Sequence, residues 1–166
     1  MDFDFSDDQE MLRDSVRKWV EKAYTFERRR EIERLKRIAK AEGVYDDVRF
    51  RDQIALLEVD IVALEMLVLR VLSAEKSGKN PLDIAGLLKI KGSEIQQRYT
   101  ELMMLAAGPY AIPFIREAME AGYQGDYVGA AYIAPLAATY FNMRKTTIYG
   151  GSNEVQRNIV AQTVLG

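Results

Sequence analysis

Three groups of residues have the types and spacing to do chemistry. The first is Tyr149-Gly150-Gly151-Ser152-Asn153-Glu154, a small-residue turn that leads into a helix start. Gly150 and Gly151 give that turn backbone freedom. Ser152 or Asn153 can cap the helix, and Gln156 stands three residues after Asn153, as in a capping box. Free backbone N–H groups at such a helix start suit a phosphate or another anion. A capped corner with no ligand accounts for the same residues. The second group is Glu58, Asp60 and Glu65. Glu58 and Glu65 are seven residues apart and share one helix face, where a carboxylate pair could do acid/base work; Asp60 points elsewhere. A polar stripe is the plainer account, and Arg70 could pair across helices. The third is Arg28-Arg29-Arg30, which Glu27, Glu31 and Glu33 balance locally. That run reads as a solvated helix face.

Composition removes several chemistries. The 166 residues include no Cys and no His. A disulfide, a thiolate nucleophile, an imidazole base, a Ser-His-Asp triad and a histidine-ligated zinc are therefore excluded. No carboxylate cluster suggests a metal, so we assign none. A net charge of -2 gives no electrostatic footprint for nucleic acid. Charges interrupt every apolar run before the roughly 18 residues of a membrane span. The acidic N-terminus lacks the apolar stretch of a signal peptide. A cytoplasmic protein is the resulting expectation. Hydrophobic residues make up 48%, enough for a core, and 166 residues suit one domain.

The elements that must position these groups read as helices throughout. Ser6 and Gln9 form a capping box for the first, which carries Leu12, Val16, Trp19, Val20, Ala23, Ile32, Leu35 and Ile38 before Gly43 ends it. The second runs from about Asp47 to Ala74 and is apolar on most of its circumference, so it is buried or shared between subunits. Asn80 and Pro81 start the third, which Gly108-Pro109 stops. A short helix near 113–121, a fourth long helix over 128–145 and a last one from Asn153 complete the chain. Met103-Met104 reads as core filling.

Several segments carry a family resemblance. Ile148-Tyr149-Gly150-Gly151-Ser152-Asn153-Glu154-Val155-Gln156-Arg157-Asn158-Ile159-Val160-Ala161 resembles the C-terminal signature of the FAD-dependent acyl-CoA dehydrogenases. Met1–Gln9 and Leu12–Val16 resemble that family's opening helix, while Ala63–Arg70 and Leu88–Glu94 resemble two long helices of its C-terminal bundle. The resemblance implies an all-α, up-down bundle of about four long helices, like the family's C-terminal domain. It implies one helical domain over 1–166, with 1–40 as the N-terminal helix and 44–166 as the bundle. The family's central β-domain has no counterpart between these parts.

The implied chemistry is α,β-dehydrogenation of an acyl-CoA thioester, in which a carboxylate takes the α-proton and FAD the β-hydride. Many family members place the base just after the signature tyrosine. Gly150 stands there and cannot accept a proton. Some relatives use a Glu-Arg pair on an inner helix, which makes Glu27 of Phe26-Glu27-Arg28 a weak substitute. The resemblance assigns Gly150, Gly151, Ser152, Asn153 and Glu154 to cofactor binding. Leu105 stands where relatives carry a glutamine that contacts the neighbouring subunit's FAD, and their Arg-x-Gln-Phe-Gly segment has no counterpart before the second helix. Two function classes follow. One is an acyl-CoA dehydrogenase-like flavoprotein component or shortened relative, inactive alone, associated as a homodimer or higher homo-oligomer or with a flavoprotein partner subunit. The other is a non-catalytic, self-associating helical-bundle interaction module.

Overall fold

The computed structural model describes residues 27–77 and 82–165, and all of their regular structure is helical. In chain order the α-helices are α1 (Glu27–Ala41), α2 (Val48–Lys76), α3 (Leu82–Ala107), α4 (Leu136–Met143) and α5 (Asn153–Leu165). The up-down helical bundle expected from the sequence is the one found. The Ser6 capping box, the apolar stripe from Leu12 to Ala23 and the Asn80-Pro81 start lie outside the described residues, as does the side chain of Glu27.

Local chemistry sets the first boundaries. Gly43 takes φ +74° two residues past α1, a left-handed position that a side chain resists. Asp47 starts α2 by accepting the Arg49 backbone N–H at 2.8 Å. Gly108, at φ +58°, ends α3, and Pro109 follows it in a 3-10 turn over Gly108–Ala111.

Two expected elements differ. The helix over 128–145 shrinks to Leu136–Met143, followed by a 3-10 turn over Arg144–Thr147. Gly129 at φ +77° and Pro135 at the N-cap hold residues 128–135 out of the helix. The helix near 113–121 is only a 3-10 turn over Glu117–Met119, with none of its residues buried. Without an apolar face to bury, a short helix has too little to offset its nucleation cost.

The central element is α3, which packs against α1, α2, α4 and α5. One of its seams is Leu88, Gly92, Ile95, Tyr99, Leu102 and Ala106, spaced four, three, four, three and four. Leu88, Ile95, Leu102 and Ala106 join Leu35 of α1 and Leu57, Leu64 and Val71 of α2 in the main core. Met103 is buried in that core and Met104 packs against it. Ion pairs tie the rim, with Lys36 to Glu58 at 2.6 Å and Lys91 to Asp60 at 3.3 Å.

Candidate functional site

A second seam on α3 carries the signature turn. Gly86, Ile90, Ser93, Gln97 and Thr100 recur at four, three, four and three, and none of the five is exposed. Apart from Ile90, this stripe is small or polar, where the first is mostly apolar. It receives α5 and the 3-10 turn that precedes it.

The segment before the turn is held by reciprocal hydrogen bonds. Gln97 Nε2 donates to the Arg144 carbonyl at 3.0 Å and to Thr147 Oγ1 at 3.2 Å. Arg144 Nη2 donates back to the Gln97 carbonyl at 2.7 Å and to Thr100 Oγ1 at 3.3 Å. The Arg144 guanidinium lies 4.3 Å from the centre of the Tyr140 ring, a cation–π contact. Its Nε is the one buried side-chain nitrogen or oxygen without a partner among the described residues.

Gly150 and Gly151 then turn the chain at φ +68° and +83°. A Cβ on Gly150 would meet open space, whereas one on Gly151 would lie 2.5 Å from Gln156 Nε2. Ile148 and Tyr149 are exposed beside this turn. Ser152 is the cap of α5: the Val155 N–H points to its Oγ at 3.4 Å.

Asn153 is not the cap, and Gln156 does not close a capping box. Both side chains are buried against α3. Asn153 Oδ1 accepts from Lys89 Nζ at 2.7 Å and from Ser93 Oγ at 3.2 Å. The single Ser93 hydroxyl proton is shared with the Ile90 carbonyl, at 2.9 Å. Gln156 packs beside Gly86, where an added Cβ would meet Val160 Cγ2 at 2.7 Å and Gln156 Oε1 at 3.2 Å. Tight approach of α5 thus requires glycine at position 86.

Charge at the helix start is already arranged. Glu154 is held below the usual carboxylate range, first by its own backbone N–H and then by the Ser152 hydroxyl, with Arg157 and Lys89 nearby. Partial burial lowers the Lys89 pKa, against the opposing pull of Glu154. An internal carboxylate therefore sits where an anionic ligand would draw on the helix N-terminus.

The other sequence candidates are elsewhere. Glu27 opens α1, remote in sequence from the turn. Glu58 is the ion-pair partner of Lys36, so it belongs to the α1–α2 contact. Glu65 is partly buried on the same helix, and Arg70 is exposed and joins no ion pair among the described residues. Leu105 is 54% exposed. No group of three or more acidic side chains among the described residues could hold a metal ion. Lys89, Ser93, Gln97 and Arg144 escaped sequence reading. The spacing of small and polar residues at 86, 90, 93, 97 and 100 was the available signal.

The residues fit a flavin pyrophosphate only on one side. Space over Gly150 is open, but Glu154 and Ser152 occupy the polar positions around the helix start, and Leu105 offers no polar contact. These side chains by themselves do not make a FAD site.

Comparison with known proteins bears on most of the chain. Residues 17–165 match the family described as "Acyl-CoA dehydrogenase, C-terminal domain". A curated relative, "Acyl-CoA dehydrogenase IpdE1" of Mycolicibacterium smegmatis, is 27% identical over 137 residues, covering 82% of this chain. The matched stretch spans 30% of that relative's length.

Proposed function

The chain belongs to the acyl-CoA dehydrogenase C-terminal-domain family, and we propose that it is a helical component of an acyl-CoA dehydrogenase-like flavoprotein, without dehydrogenase activity of its own. The observation that carries this reading is Gly150. By the family resemblance its position is that of the proton-abstracting glutamate, yet it has no side chain and borders open space. Glu154 does not replace it. That carboxylate is engaged with Ser152 and its own backbone, and its depressed pKa makes it a weaker base. Glu27 lies at the start of α1, away in sequence from the signature turn.

When bound, FAD would supply hydride acceptance; this chain's contribution is to hold the Gly150–Glu154 turn against α3. We infer that Gly150, Gly151, Ser152, Asn153 and Glu154 approach FAD only where a flavoprotein partner or another copy supplies most contacts. Residues 1–40 and 44–166 then act as one helical domain. A cytoplasmic location accords with the absence, among the described residues, of any helix long and apolar enough to cross a membrane.

The test is an assay of the purified chain with FAD, an artificial electron acceptor and acyl-CoA thioesters of several lengths. Turnover should stay at background, because loss of a positioned base alone costs about 10²–10⁴-fold. Ordinary enzymatic turnover would overturn the reading, and its loss in Glu27→Gln would return the base to Glu27. FAD should give no saturable rise in melting temperature; a rise abolished by Ser152→Ala would place the cofactor on the turn.

A second reading, self-association, is favoured by α2. Leu56, Val59, Val62 and Met66 are each more than half exposed on a helix whose other side fills the core. Large exposed apolar patches mark association sites. Sedimentation at micromolar concentration should show a homo-oligomer, most simply a dimer.

A further inference from the structure

The outward side of α2 carries a second seam with a direction built into it. Asp52, Leu56, Val59, Ala63, Met66 and Arg70 follow at spacings of four, three, four, three and four. That heptad spacing keeps a stripe on one side of a helix. All six residues are exposed. The opposite stripe, with Ile54, Leu57, Ile61, Leu64 and Val68, is buried in the core. An acid stands at one end of the outward seam, a base at the other, and apolar residues between. Neither Asp52 nor Arg70 joins an ion pair among the described residues.

We propose that this face packs against the same face of a second copy of the chain, antiparallel, with the twofold axis at the level of Ile61. The proposal rests on the self-association reading above and adds its surface, orientation and register. In that register Asp52 lies level with the partner's Arg70, Leu56 with the partner's Met66, and Val59 with the partner's Ala63. Each pairing occurs twice, as an isologous interface requires. A parallel pair would set acid against acid and base against base at the two ends, and like charges across an interface are repulsive. The seam runs about 27 Å at roughly 1.5 Å per residue. The small side chain of Ala63 lets the two helix backbones come close.

The chain has no cysteine, so an introduced thiol is unique. Leu56→Cys and Met66→Cys chains should form a disulfide with each other when mixed under mild oxidation, and neither should do so alone. In sedimentation equilibrium, Asp52→Arg or Arg70→Asp should each weaken the dimer by roughly tenfold or more, and the double exchange should restore it. Circular dichroism checks that the variants keep their helices. If Leu56→Cys cross-links by itself, or the double exchange does not restore the dimer, the antiparallel register is overturned while self-association stands. If the unaltered chain is monomeric, both readings fall. Slow alkylation of the introduced thiol in that monomer would then assign the face to residues 1–26 of the same chain, and dimers that form only with a different protein would assign it to that partner.

Discussion

The α3–α5 crossing and the outward face of α2 are opposites. The first is polar and closed: Ser93, Asn153 and Gln156 are buried there, and Gly86 leaves no space for a methyl group. The second is apolar and open, with Leu56 and Val59 about two-thirds exposed. The signature thus sits where Asn153 and its neighbours find partners within the fold, Arg144 Nε being the exception. Unfulfilled apolar surface lies on the outward face of α2. Polar residues in a motif need not await a ligand, because buried polar groups must find partners within the fold. An apolar stripe in water is the feature that calls for a partner.

Substitutions can break or sharpen this contrast. The largest effect is expected from Gly86→Leu, which forces a branched side chain into the space already taken by Val160 and Gln156. Overpacking of this kind should cost about 3 kcal/mol in urea unfolding. A cost near zero would mean that the crossing is not closed.

Asn153→Ala comes next. It removes the acceptor shared by Lys89 and Ser93, leaving a partly buried ammonium without that bond. A loss of about 1–3 kcal/mol is expected. Gln97→Ala, which frees the Arg144 carbonyl and Thr147, should cost about 1 kcal/mol in the same measurement.

Ser152→Ala removes the cap of α5 and should cost about 0.5–1 kcal/mol, the low end for a cap, since the bond from Val155 is long. The same variant should raise the Glu154 pKa toward its ordinary value of 4.5, which a carboxyl carbon NMR titration would read. Glu154 is lower in the folded chain than in the unfolded one. Its contribution is therefore present above the unfolded value and is lost as pH falls through the folded value. An unchanged titration would remove Ser152 from the helix start.

The smallest effect belongs to the other region. Val59→Ser on the outward face should change the stability of the monomer by less than about 0.5 kcal/mol, because the side chain is exposed. It should weaken self-association all the same. If it destabilised the monomer as strongly as Asn153→Ala, the two regions would not be opposites.

Much of the bundle was legible because helix signals are local. Apolar spacing gave α2 and α3 nearly to their ends, and Gly43 and Gly108 stop helices in the left-handed conformation that their lack of a side chain permits. The glycine pair of the signature turn was legible for the same reason. The helix over 128–145 was overextended because Ala130, Ala131, Ala134, Ala137 and Ala138 suit a helix, while Pro135 and the left-handed Gly129 divide it.

The sequence by itself determined a helical fold class, its main breaks, the absence of cysteine and histidine, and the glycine pair after Tyr149. These depend on residue type and short-range spacing. Only the tertiary structure decided that Ser152 caps α5 while Asn153 turns inward to Lys89 and Ser93, and that Glu58 belongs to Lys36. The Glu58 and Asn153 pairings join residues separated by 22 to 64 positions, and a side chain that can cap or pair equally well is assigned by whichever neighbour the packing brings within reach.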